Sequence, residues 1–259
     1  MLDFLFGSKG GSRRLDVATV SRRGLVRRDN QDHFVADRVR SFFAVADGMG
    51  GGQGGSEASE IVCANLAKAV DGKVEFSDRL RDAAKAIDAS NDEIRDFARK
   101  AGYDQMATTL TLLAMDEAPS TTAVIANVGD SRIYRFRNGV AQRLTRDHTV
   151  IGELDRQPGA KAMKRELGSG INYLKHVLTR AVGIEPEVVP DWKKIEMRAG
   201  DAFLLCSDGV YGMVSDGELA KSFALASAAD IVADIEKKIL AAGADDNYTA
   251  VVVRVGGAQ

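Results

Sequence analysis

Short apolar runs of β character lie toward both ends of this 259-residue chain, with helical stretches between them, and this arrangement constrains the fold most. Strand patterns cover residues 15–21, 33–36 and 42–46, the last almost wholly apolar and therefore expected to be buried on both faces. A helix should follow: Ser56 can cap it, Glu57 suits its positive end, and Ala58, Ile61, Val62, Leu66 and Ala69 recur at helical spacing until Asp71-Gly72. Ser77 opens a second helix, with Leu80, Ala83, Ala84, Ile87, Ile94 and Phe97 on one side and Gly102 near its end. Strand patterns return at 108–115, 121–128, 133–136 and 140–144, the last two joined by a tight hairpin at Arg137-Asn138-Gly139. Further strands are expected at 188–197, 203–206 and 248–255, and helices at 217–223 and 228–242. Two sheets packed face to face with helix pairs outside accommodate this order, an α+β sandwich in four layers.

Residues 149–180 break the pattern. Weak periodicity, several glycines and a surplus of Lys and Arg mark them as a mobile flap over one end of the sheets. No composition break divides the rest, so residues 14–257 read as one domain behind an N-terminal extension over 1–13. With 45% hydrophobic residues the chain can bury a substantial core, and a formal net charge of -2 gives no sign of a nucleic-acid partner. Cys63 and Cys206 both sit in apolar surroundings, which points to core positions and a reducing cytoplasm. No apolar run is long enough for membrane insertion.

Four aspartates, Asp32, Asp47, Asp208 and Asp246, each stand where a strand-like run meets a turn. Alone, any of them reads as a turn residue, and Asp47-Gly48 and Asp208-Gly209 are ordinary hairpin dipeptides. Together they could balance the charge of two hard divalent cations, which take oxygen ligands and keep several waters.

The surrounding strings are specific. Gly24-Leu25-Val26-Arg27 precedes Asn30-Gln31-Asp32, and Val45-Ala46-Asp47-Gly48-Met49-Gly50-Gly51 follows. Ala107-Thr108-Thr109-Leu110, Asn127-Val128-Gly129-Asp130-Ser131-Arg132 and Leu144-Thr145-Arg146-Asp147-His148 come next. Leu178-Thr179-Arg180-Ala181-Val182-Gly183, Leu204-Leu205-Cys206-Ser207-Asp208-Gly209 and Asp246-Asn247 complete the order. On these motifs the sequence resembles the metal-dependent, type 2C family of Ser/Thr protein phosphatases, over about residues 16–255.

The resemblance implies a β-sandwich flanked by helix pairs and two Mg²⁺ or Mn²⁺ ions in a cleft at one edge. By motif position, Asp47 would bridge the ions, Asp32 and the Gly48 carbonyl would hold one, and Asp208 and Asp246 the other. The metal-bridged hydroxide would attack phosphoserine or phosphothreonine in line, and Arg27 would grip the phosphate through its planar fork. Asp130 corresponds to the ligand of a third, weaker ion, while Gln31 and Asn247 would support the ligands from behind. Asp147 and His148 carry a family signature read as structural, and His33 and His176 receive no role. The partners implied are phosphorylated proteins and an opposing Ser/Thr kinase in a bacterial cytoplasm.

Two positions depart from the family. Gln31 stands where many members carry glutamate, and Met49 where eukaryotic relatives carry a histidine proposed as general acid. A thioether cannot protonate the leaving oxygen, so the proton must come from elsewhere. Two other readings compete. Gly50-x-Gly52-x-x-Gly55 matches a dinucleotide-binding fingerprint, but residues 71–76 are too polar for the parallel strand that should follow. A pseudophosphatase that binds phosphoproteins without turnover would keep the fold, although such proteins usually lose metal aspartates first.

Overall fold

The structure, a computed structural model, describes residues 13–50, 54–72, 75–167 and 171–258. It opens with β1 (Arg13–Arg22), β2 (Asp32–Asp37) and β3 (Phe42–Gly50), followed by α1 (Gly54–Val70) and α2 (Phe76–Ala101). Five strands follow: β4 (Met106–Thr108), β5 (Leu110–Met115), β6 (Thr122–Val128), β7 (Arg132–Arg137) and β8 (Val140–Arg143). The short helices α3 (Val150–Leu154), α4 (Ala160–Leu167) and α5 (Ile171–Leu174) occupy the next segment. Then come β9 (Asp191–Glu196), β10 (Ala202–Cys206), α6 (Asp208–Tyr211), α7 (Asp216–Ser222), α8 (Ala228–Ala242) and β11 (Tyr248–Ala258). Of the expected extension over 1–13, all but Arg13 lies outside the described residues, and Arg13 itself opens β1.

Along β3, successive side chains divide between two cores, because a strand points neighbours to opposite faces. Phe42, Ala44 and Ala46 pack with Val62, Leu66, Ile87 and Ile94 of α1 and α2. Phe43 and Val45 instead meet Phe203, Leu205, Val251 and Val253 of the opposite sheet. The other faces of β10 and β11 place Leu204, Cys206, Ala250 and Val252 against Leu219 of α7 and Ile231, Ile235 and Ile239 of α8. Burying each large apolar side chain contributes about 1.5–3 kcal/mol, so three stacked cores hold four layers together.

One sheet runs β1-β11-β10-β7-β8 and the other β2-β3-β5-β6-β9, with β4 paired to β3. Every described strand pairing is antiparallel, which removes the dinucleotide-binding reading, since that needs a parallel pair after the glycine turn. Part of that glycine run, residues 51–53, lies outside the described residues.

Several boundaries differ from the sequence expectation for identifiable reasons. The run at 108–115 breaks at Thr109, whose N–H donates to the Asp47 carbonyl at 2.9 Å and whose Oγ1 accepts from Asp47 N at 3.0 Å. Helix α1 begins at Gly54, so Ser56 lies inside it, and α2 begins after Glu75, which makes no side-chain cap. Packing of Ala83, Ile87 and Ile94 holds α2 without that cap. Strand β9 starts at Asp191 because Pro190 lacks the N–H that the ladder requires. The hairpin between β7 and β8 matches the expectation, with Asn138 (φ 52°) and Gly139 (φ 75°) both left-handed.

The segment between β8 and β9 leaves the sheets through a closed neck. A bridge pairs Thr149 with Leu178, Thr179 N–H donates to the His148 carbonyl at 2.8 Å, and Val150 N–H donates to the Val177 carbonyl at 2.9 Å. Its three short helices are too brief to produce a long periodic signal, so the sequence shows only weak periodicity there.

Candidate active site

Antiparallel pairing gathers the start of β2, the end of β3, the turn between β6 and β7, and the junctions before β11 and after β10 at one edge. Asp32 opens β2 and lies directly across from Asp47 on β3. Asp208 follows β10 as the first residue of α6, Asp246 precedes β11, and Asp130 sits in the β6–β7 turn. Asp47, Asp130, Asp208, Asp246, Gly48, Gln31 and Arg27 line one cavity of about 260 Å³. Asp32 is set beneath it, 3% exposed, with Oδ2 accepting from Ser207 Oγ at 2.7 Å. Its Oδ1 has no hydrogen-bond partner among the described residues.

Asp47-Gly48 is not the hairpin turn its composition allows; both residues lie within β3, held by Thr109 and by a 3.0 Å bond from Gly48 N to the Gln31 carbonyl. A Cβ at Gly48 would stand 1.9 Å from the Gly55 carbonyl oxygen, so only glycine lets three backbone segments meet here.

The loop carrying Arg27 is tied down by Asn247. That side chain accepts from Gln31 N at 2.9 Å and donates to the carbonyls of Arg23 and Asp29 at 2.7 and 2.8 Å. Gly24 (φ 76°) packs so tightly on the 244–246 backbone that a Cβ would lie 2.2 Å from the Asp246 carbonyl oxygen. Leu25 N–H adds a 2.7 Å bond to the Ala244 carbonyl. Arg27 then reaches across, with Nη2 2.7 Å from Asp246 Oδ2 and more than half its side chain exposed. Asn247 touches Asp246 through its own backbone N–H, at 2.8 Å, so its side chain supports the loop rather than the carboxylate.

Negative charge is concentrated at this edge. Burial lifts the Asp47 carboxyl well above the usual carboxylate range, and Asp32, Asp208, Asp130 and Asp246 push it further. Burial also pushes Asp32 up to about 7, against the lowering effect of its Ser207 bond. Asp130 is pushed up to about 7 by burial and by Asp208, and Asp208 is raised by burial and by Asp246. Arg27 reaches this cluster through Asp246, and His176 Nδ1 stands 3.9 Å from Asp208 Oδ2.

This donor set fits hard divalent cations: carboxylates, a glycine carbonyl at a crowded strand end, and a buried carboxylate oxygen with no partner among the described residues. Among the described residues no group of three or more His, Cys, Asp or Glu side chains forms a self-contained metal cage. The carboxylates instead line an open cleft with room for water, as suits ions that retain part of their hydration.

Several contributors were not legible as such. Ser207 anchors Asp32 from the string that also supplies Asp208, a position whose adjacency was the available signal. Tyr211, one turn beyond Asp208, tempers the rise of the Asp130 carboxyl, and Arg132 stacks over its ring at 3.5 Å. Arg132 is held in turn by a two-point contact with Asp147, at 3.0 and 2.7 Å. His148 Nδ1 accepts from Gly129 N at 3.2 Å, and burial lowers its pKa, so the neutral ring suits that acceptor role. Asp147 and His148 thereby brace the turn bearing Asp130. His176, given no role by its sequence context, opens onto the cleft.

Comparisons with known proteins agree with this architecture. The family model for protein phosphatase 2C matches residues 18–242. The serine/threonine phosphatase stp of Listeria monocytogenes is 33% identical over 243 residues, spanning 89% of this chain and 92% of that protein. The solved structure of PppA, a key regulatory component of T6SS in Pseudomonas aeruginosa, superposes with a TM-score of 0.82 at 30% identity, covering 95% of this chain and 99% of PppA. The catalytic domain of the serine threonine protein phosphatase PstP, solved in complex with two manganese ions, gives a TM-score of 0.79 at 31% identity, with 94% and 99% of the two chains covered. The chain belongs to the protein phosphatase 2C family.

Proposed function

We propose that this protein removes phosphate from phosphoserine and phosphothreonine residues of proteins in a bacterial cytoplasm, opposing one or more Ser/Thr kinases. The observation that carries the reading is the convergence of Asp47, Asp130, Asp208, Asp246 and Arg27 on one cavity at the edge of two sheets. Curated relatives named as serine/threonine phosphatases support it, and no observation favours a phosphoprotein-binding module without turnover.

Two Mn²⁺ or Mg²⁺ ions are the cofactors, in keeping with the two manganese ions of the PstP structure. Asp47, Asp32 and the Gly48 carbonyl would hold one ion, Asp47, Asp208 and Asp246 the other, and Asp130 would hold a third. When bound, such ions supply Lewis acidity and lower the pKa of a water aimed at phosphorus. The chain's own groups do the rest. Arg27 shares its guanidinium between Asp246 and the incoming phosphoryl oxygens, which orients the monoester as well as attracting it. Met49 borders the cleft and donates no proton, so the departing seryl or threonyl oxygen must take one from another group.

The test is phosphate release from phosphoserine and phosphothreonine peptides with Mn²⁺ and with chelator. Metal-dependent turnover is expected. Tight peptide binding without release at saturating Mn²⁺ would instead identify a binding module.

No helix among the described residues is long and apolar enough to cross a membrane.

A further inference from the structure

A second cavity, of about 970 Å³, lies beside the catalytic cleft, between the inserted helices and the rim formed by Tyr211 and Gly212. Its lining carries six cations: Arg132, Arg143, Arg146, Arg156, Lys164 and Lys175. Two carboxylates face them, Asp147 and Asp155, so the lining holds a net charge of about +4 on a chain whose formal net charge is -2. That excess is concentrated next to a cleft of carboxylates, a contrast that scattered surface lysines would not produce.

Not all six cations are spent within the protein. Arg132 and Arg143 share the single carboxylate of Asp147, and Lys164 pairs with Asp155. Arg156 reaches Glu153 at 3.1 Å while 48% of its side chain remains exposed. Arg146 is exposed and makes no side-chain hydrogen bond or ion pair among the described residues. Arginine forks match the oxygens of a phosphate in two-point contacts, and a cavity concentrates their field.

The two cavities adjoin. His176 lines both, and Tyr211 forms a wall of the basic cavity. His176 therefore stands where the two cavities meet. An extended peptide advances ~3.3 Å per residue, so a group about two to four residues from the phosphoresidue under attack can reach the basic cavity.

We propose that this cavity is a subsite for a second phosphate on the substrate chain, about two to four residues from the phosphate being removed. The assignment rests on the phosphatase reading above and names a preferred substrate class, closely spaced doubly phosphorylated segments. Free inorganic phosphate has the same chemistry, and the experiment separates the two sources.

The experiment uses the full chain with Mn²⁺ and compares peptides carrying one phosphoserine in neutral flanks. Matched peptides carry in addition a non-hydrolysable phosphonate two, three or four residues away, on either side. For at least one spacing kcat/KM is expected to rise about tenfold or more, mainly through KM, as one or two charge-assisted contacts provide. Arg146→Glu combined with Arg156→Glu should abolish that preference while leaving the neutral peptide's kcat/KM unchanged. Equal kcat/KM for all peptides in the parent protein overturns the proposal, as does a preference that survives in the double variant. If millimolar inorganic phosphate changes turnover of the neutral peptide in the parent but not in the double variant, and no peptide preference exists, the cavity takes free phosphate and the substrate assignment is wrong. Absence of metal-dependent turnover on the neutral peptide would strike the phosphatase reading itself, a result distinguishable from any of these.

Discussion

Asp32 and Asp47 are directly opposed partners on neighbouring antiparallel strands. Like charges in that relationship weaken a sheet, and burial at this edge adds to the penalty. Ser207 relieves one oxygen of Asp32 and Thr109 holds the backbone of Asp47, yet neither supplies a positive charge. The arrangement is accounted for by cations that the fold is built to receive.

Removing one charge from that cluster should therefore weaken ion binding before it harms the fold. Asp47→Asn and Asp208→Asn are each expected to lower Mn²⁺ affinity by more than the 10–100-fold typical of outer supporting groups, on the order of 10³-fold, with turnover falling alongside. Calorimetric Mn²⁺ titration and phosphopeptide turnover measure this. Affinity within about threefold of the parent in either variant would remove that residue from the ligand set.

Arg27 pairs with Asp246 at 2.7 Å but remains largely exposed, so it can meet a phosphoryl oxygen without being pulled from a buried site. Arg27→Ala should reduce kcat/KM on phosphate monoesters by roughly 10–100-fold, the range of a charge-assisted contact worth about 1.5–3 kcal/mol. Arg23→Ala and Arg28→Ala should change it little. Equal losses across the three variants would point to diffuse attraction by a basic loop.

Asn247 makes three side-chain hydrogen bonds to the loop that carries Arg27. At about 0.5–1.5 kcal/mol each, Asn247→Ala should cost roughly 2–4 kcal/mol of stability. Asn247→Asp keeps the acceptor for Gln31 N and loses both donors, so it should fall between parent and Ala. Urea unfolding of the three proteins, read with Mn²⁺ removed, decides it; a change below about 0.5 kcal/mol for Asn247→Ala would mean that the loop is held by Gly24 and Leu25 alone.

The carboxylate cluster also sets a pH dependence with a definite sign. Asp32 and Asp130 are pushed up to about 7, and Asp47 and Asp208 are raised too. A raised folded-state pKa contributes stability that is present below the ordinary carboxylate value and lost as pH rises through the folded value. The metal-free protein should thus lose stability from about pH 4 to about pH 7. His33 and His148, lowered by burial, act oppositely but only below their ordinary value near 6.5. Thermal unfolding in chelator and in Mn²⁺ should show a larger metal-induced rise in Tm at about pH 8 than at about pH 5. A rise independent of pH would contradict the charge argument.

The layered fold was legible because nearly continuous apolar runs at 42–46, 203–206 and 248–255 are buried on both faces, a pattern that a doubly covered sheet explains. The aspartates were legible through their strings, not through their turn chemistry, since Asp47-Gly48 proved to lie in a strand. Asn247 could be placed near Asp246 but not assigned its task, because a side chain that reaches residues 23, 29 and 31 across the fold leaves no local periodic trace. The same holds for Tyr211 and Arg132, which act through a stack between two elements. The helix start at Phe76 escaped because packing, rather than a capping side chain, sets it.

The neck beneath the inserted helices confers a freedom that the rest of the chain lacks. Thr149 and Leu178 pair, and His148 and Thr179 pair beside them, so the ends of the insert are brought together by the scaffold itself. Once closure is fixed there, doubling the length of the enclosed loop costs only about 0.6 kcal/mol in conformational entropy. The insert can therefore be lengthened, shortened or replaced while the strands that present the aspartates keep their register.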